Sequence, residues 1–170
     1  MKKLGILLAS LFVMTLATQQ VKAQNNEASV TANAKATILN GLKIVKNADL
    51  QFGKIVAGST VSKVQIQTDG SRKIASGDVV LFNTESDHQA ASFTLTGTAD
   101  RAYSLDLPTN ITLTGPSGSS PMTVEGFVDN AAGTLSSSSE QFAVGATLNV
   151  GAGQVAGDYT GEFSVTVAYN

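Results

Sequence analysis

The alternation that closes the chain constrains its fold more than any other feature. Residues 157–170 read G-D-Y-T-G-E-F-S-V-T-V-A-Y-N. Tyr159, Gly161, Phe163, Val165, Val167 and Tyr169 fall on one face of an extended chain, and Asp158, Thr160, Glu162, Ser164 and Thr166 on the other. A period of two carried by β-branched and aromatic residues predicts a half-buried strand that completes a sheet. The same pattern recurs upstream in short runs: 28–39, 42–45, 49–52, 61–67, 72–75, 79–82, 93–97, 103–107, 111–114, 122–128 and 142–150. Gly, Asn, Asp, Ser and Pro punctuate them, and no window sustains a helical apolar period. Asp69-Gly70 marks a hairpin, and Asn40-Gly41 suits a type I′ turn or a switch between sheets. Pro108 ends its run because proline cannot donate to a ladder. Strands at this spacing predict an all-β antiparallel sandwich, with Val, Ile, Leu and Phe inward and Thr, Ser, Gln and Asp outward.

The first residues read as a targeting segment. Lys2 and Lys3 precede an apolar run over 4–16, and Val21-Lys22-Ala23 sets small residues before a cut at Gln24. The run is too short to span a bilayer, so 1–23 is expected to be a signal peptide and 24–170 a single exported domain with no membrane span. The expected destination is the periplasm, cell surface or medium. The leader carries three lysines and no acid, so the remaining chain is more acidic than the −2 of the whole. That balance argues against nucleic acid and anionic membranes as partners. There is no cysteine, which excludes disulfides, thiol catalysis and thiolate metal sites.

Little in the sequence carries catalysis. His88 is the lone histidine, in Glu85-Ser86-Asp87-His88. On a strand Glu85 and Asp87 would share a face that His88 does not, so a solvated loop is the expected reading. No G-x-S-x-G is present for a hydrolytic serine. Glu125, Glu140, Asp158 and Glu162 could pair as glycosidase carboxylates only if the fold brought them together. Gly151-Ala152-Gly153 precedes a strand rather than opening a helix, so it reads as a turn and not a phosphate loop. We therefore expect no enzyme activity, no cofactor and no metal.

Several motifs in order carry a resemblance. They are Leu50-Gln51-Phe52-Gly53, Phe93-Thr94-Leu95-Thr96-Gly97, Tyr103-Ser104-Leu105-Asp106-Leu107-Pro108, Ile111-Thr112-Leu113-Thr114, Phe142–Leu148 and the terminal run. From about Ala28 to Asn170 the chain resembles the bacterial secreted family known as domain of unknown function 4402. That family is similar in turn to spore-coat-protein-U-like domains and to subunits of archaic chaperone–usher pili. The terminal run, with its glycine at 157 and tyrosine at 169, resembles the C-terminal pattern of chaperone–usher pilins.

The resemblance implies an immunoglobulin-like, pilin-like sandwich lacking one strand, and a structural subunit of a surface fibre or coat. A periplasmic chaperone, an outer-membrane usher and related subunits would be its partners. Gly157, Tyr159, Gly161, Phe163, Val165, Val167 and Tyr169 would line the assembly groove. Val30, Ala32, Ala34 and Ala36 would be the donated strand, or else the first strand of the domain's own sheet. The chain departs from such pilins in having no disulfide. A self-complete secreted sandwich that binds a glycan or protein is the alternative.

Overall fold

The computed structural model describes residues 27–82 and 87–170. The expected leader, and Glu85, lie outside the described residues. The chain divides into two units, 1–36 and 37–170. In the first, residues 27–36 enter no strand and are exposed, Val30 being 94% accessible. The strand expected over 28–39 is therefore not formed. Its apolar face is mostly alanine, which buries little area and has low strand propensity, and a strand without a partner leaves its backbone groups unpaired.

The second unit is all-β, with no helix among the described residues. Fourteen strands follow in order: β1 Lys43–Ala48, β2 Gln51–Phe52, β3 Ile55–Val56, β4 Ser62–Ile66, β5 Arg72–Ser76, β6 Val80–Leu81 and β7 His88–Gln89; then β8 Ala91–Thr96, β9 Arg101–Asp106, β10 Asn110–Leu113, β11 Met122–Asp129, β12 Thr134–Leu135, β13 Ser139–Val150 and β14 Thr166–Tyr169. All pairings are antiparallel. Most expected strands are present within a residue or two. The two-residue β3, β7 and β12 were not expected.

β13 is the spine. One edge pairs with β11; the other pairs first with β8, over Ser139–Val144, and then with β4, over Ala146–Val150. Gly145 sits at the change of partner, where a Cβ would collide with the carbonyl oxygen of Ile66. Alternation along β13 buries Phe142, Val144, Ala146, Leu148 and Val150, as its period predicts. β4 and β5 form the expected hairpin: Gly70 takes φ +82°, and its N–H donates to Gln67 O at 2.9 Å. Asn40-Gly41 is not a hairpin turn, because Gly41 does not take the left-handed conformation a type I′ turn needs.

The order β1-β8-β13-β11-β10, extended by β4 and β5, makes a seven-stranded sheet. Opposite it lie the three-stranded sheet β12-β9-β14 and two ribbons, β2–β7 and β3–β6. The core has two parts. In one, Ala91, Phe93, Leu95, Phe142 and Val144 of the large sheet meet Tyr103 and Leu135 of the small one. In the other, Val64, Met122, Val124, Ala146, Leu148 and Val150 are covered by buried Val79 and otherwise by half-buried residues such as Phe52, Ile55, Ala57 and Tyr159.

Candidate functional site: an apolar cleft between two walls

The thinly covered part of the core opens as a cleft of about 1180 Å³. Its floor is the inward face of the large sheet: Phe93, Ile111, Leu113, Met122, Val124, Leu148 and Val150. One wall runs from Leu50 through β2 and β3 to Ala57; the other runs from Gly157 to Phe163. Both walls are incompletely paired. Among the described residues β2 pairs in a ladder only with β7 and β3 only with β6. In the second wall Thr160 exchanges bonds with Thr114 (2.8 and 3.0 Å), while among the described residues 161–165 enter no ladder. Among the described residues the layer above the cleft is interrupted, and no strand pairing joins the two walls across it. An unpaired strand edge is a template for another strand.

Polar side chains hold the walls in place. The Arg72 side chain, 1% accessible, reaches the first wall from β5. Its guanidinium donates to Phe52 O at 2.7 Å, to Lys54 O at 3.4 Å and to Phe82 O. Asp87 Oδ2 accepts from Lys54 N–H at 3.0 Å. That bond, then His88 and Arg72, hold the Asp87 carboxyl below its ordinary value against its own desolvation. Where the first wall ends, Asp78 accepts from the hydroxyls and N–H groups of Thr60 and Ser59 at 2.7–3.1 Å. The Thr60 hydroxyl first, then Ser59, drive its pKa far below the usual carboxylate range. The Gly153 N–H donates to Gly58 O at 2.9 Å and ties the two wall segments together there. At the other end the Phe163 ring meets Phe127, with centroids 5.2 Å apart, and Phe93, at 6.5 Å.

The residues expected at the groove divide in two. Gly157, Tyr159, Gly161 and Phe163 line the cleft. Val165 and Val167 pack into the closed part of the core, and the Tyr169 hydroxyl bonds Asn40 O and Thr98 N–H. Exposure alternates along 163–169 as expected, but the expected single strand over 157–170 is corrected to Thr166–Tyr169. The partner strand explains this: β9 ends at Asp106, and Leu107-Pro108 carry the chain away from 161–165. Val30, Ala32, Ala34 and Ala36 lie in the exposed, strandless segment. The first wall was not anticipated as a site, although Leu50-Gln51-Phe52-Gly53 had been singled out as a motif. Arg72 gave no signal in the sequence, since a charged residue opening a strand reads as solvated.

Among the described residues the candidate chemical groups are spread over different elements. His88 pairs with Phe52 across β2–β7, its Nδ1 3.6 Å from Asp87 Oδ1. Among the described residues no group of three potential metal ligands occurs. Glu125 is engaged by Lys63 at 2.8 Å, and Glu140 by the Tyr103 hydroxyl at 2.9 Å and Ala132 N–H at 2.7 Å. Asp158 and Glu162 lie at the cleft, along its second wall.

No curated protein and no solved structure matches the chain. The match that exists begins where the strandless segment ends and takes in both walls and the floor. A family model described as Domain of unknown function (DUF4402) covers residues 42–169, and the chain belongs to that family.

Proposed function

We propose that this chain is an exported, non-enzymatic structural subunit, akin to a pilin of the archaic chaperone–usher type, whose cleft accepts a β-strand from another copy. The observation that carries the reading is the interrupted sheet over an apolar floor. A cleft of about 1180 Å³ between two walls that, among the described residues, no ladder joins suits β-augmentation, in which main-chain bonds supply affinity and alternate side chains fill the floor.

The donor is the segment that precedes the family domain. Residues 27–41 enter no strand and alternate Val30, Ala32, Ala34, Ala36 and Ile38, the last 96% accessible. Small side chains fit a strand that must slide between two walls. An open groove of this kind invites aggregation, which is the physical reason a chaperone would accompany the subunit to an outer-membrane usher.

The test is material sheared from producing cells and run in SDS with and without boiling. A ladder of subunit multiples that collapses on boiling is the expected result. A monomer band under both conditions would overturn the proposal and turn attention to a monomeric binding module. A chain lacking residues 24–34 should still fold and should leave no ladder.

A further inference from the structure

The point where the N-terminal segment joins the sandwich is tied down by residues far apart in sequence. The Asn40 N–H donates to Thr98 Oγ1 at 2.8 Å. The Tyr169 hydroxyl donates to Asn40 O at 2.9 Å and accepts from the Thr98 N–H at 2.7 Å. Thr98 Oγ1 also donates to Asn40 O, at 3.4 Å. Both backbone polar groups of Asn40 thus find side-chain partners, although Asn40 and Gly41 lie in no strand. Gly97 makes the space: a Cβ there would fall 2.5 Å from the Tyr169 hydroxyl oxygen and 2.8 Å from Leu42 Cδ2. Two residues earlier, Ile38 is 96% accessible, so side-chain burial begins only at this knot.

We infer that Tyr169 is a positioning residue whose hydroxyl, with Thr98, pins Asn40 and so sets the direction in which the N-terminal segment leaves the sandwich. Burial of the ring needs only a phenyl group; the hydroxyl is spent on Asn40 and Thr98. A fixed root shortens the flexible tether, and the volume a tether explores grows with its length. The consequence for assembly rests on the strand-donation reading: subunits joined through a pinned root would hold a defined angle to one another. The pinning itself does not depend on that reading.

The chain has no cysteine, so a single Ile38→Cys carries a spin label at one site. The label is compared in the otherwise native exported chain, in Tyr169→Phe and in Thr98→Val, with a second label at Val30 as the unrestrained reference. The native root should be slower than the Val30 reference, and each variant should bring it close to that reference. In Tyr169→Phe the Thr98 amide should exchange about tenfold faster, the loss expected for one partly buried bond. Should Tyr169→Phe fold poorly, Thr98→Val decides. A native label at 38 as mobile as that at 30, or one unaffected by both substitutions, overturns the pinning. In fibres, Tyr169→Phe should keep the heat-sensitive ladder while persistence length falls about twofold as the joint loosens. Unchanged stiffness overturns the effect on assembly, and a native chain without a ladder overturns strand donation alone, leaving the label data standing.

Discussion

The two parts of the core share one sheet and are covered in opposite ways. Where β8 and the first half of β13 face β9, β12 and β14, side chains of two sheets close over one another, Leu95 against Leu135 and Tyr103. Where β11 and the second half of β13 face β2, β3 and the second wall, cover is partial and a cleft remains. The closed part is held by apolar contact. The open part is held at its margins by polar side chains, Arg72, Asp78 and Asp87, grasping backbone groups of the first wall and the loop after it. On the proposed reading, a groove that accepts a strand would not be filled by its own residues, and its walls would need bracing from outside.

Truncation should show that difference most strongly. Leu135→Ala, at zero accessibility, should cost about 3–5 kcal/mol in denaturant melts, transfer plus cavity. Leu113→Ala on the half-buried cleft floor should cost about 1 kcal/mol, because part of that side chain is already wet. Equal costs would mean that the cleft closes in solution and the comparison fails. A synthetic peptide spanning residues 28–39 is the next test. Added to a chain lacking 24–34, it should raise stability by about 2.7 kcal/mol at a hundredfold excess over its Kd. A scrambled peptide should do nothing. The gain should vanish when Ile111, half-buried on the cleft floor, is replaced by Asp.

Much of this fold could be read before any coordinates, and the reasons differ by region. Strands buried on one face announce themselves by alternation, so β8, β11 and β13 were clear in Phe93/Leu95, Met122/Val124 and Phe142–Val150. Leu135 was not: a lone leucine between Gly133 and a serine run has no periodicity, and only the three-dimensional packing of β12 on β9 buries it. Alternation also misled. It recurs in 28–39 and 159–165 just as in real strands, because the pattern records which side of an extended chain is apolar, not whether a partner lies alongside. At the candidate site the second wall was legible from Tyr159, Gly161 and Phe163. The first wall was not, because its strands are two residues long and its bracing arginine comes from β5.

Arg72 tests the bracing directly. Arg72→Ala removes a buried donor set from the carbonyls of Phe52, Lys54 and Phe82. Loss of these buried bonds, with Lys54 O keeping the Phe82 N–H, should destabilise the chain by about 2 kcal/mol. Amide exchange should rise along 51–56 while β9 and β14 stay protected. Uniform loss of protection would show that the two parts unfold as one and that the wall has no separate brace.

The smallest expected effect is the one most particular to the open part, its response to acid. Asp78 is ionised and hydrogen-bonded in the folded chain, so its carboxyl is held far below the 3.8 it would otherwise show. A carboxyl whose acidity is raised by folding stabilises the fold above its unfolded value. That contribution is lost progressively as pH falls below about 4, because the unfolded chain then binds the proton more readily. Asp87 is shifted the same way, as is Glu125 on β11, so these carboxylates of the open part act together. On the closed part burial, then Glu140, push the Tyr103 hydroxyl up to about 12, outside any acid titration. Asp78→Asn should therefore lower Tm at pH 7, and the gap from the native chain should narrow steadily between pH 4 and pH 2. A constant gap across that range would mean that the Asp78 hydrogen bonds matter as geometry and not as charge. Hydrogen exchange during the titration adds the spatial test, since protection should fall first at 51–62 and only later in β8 and β13.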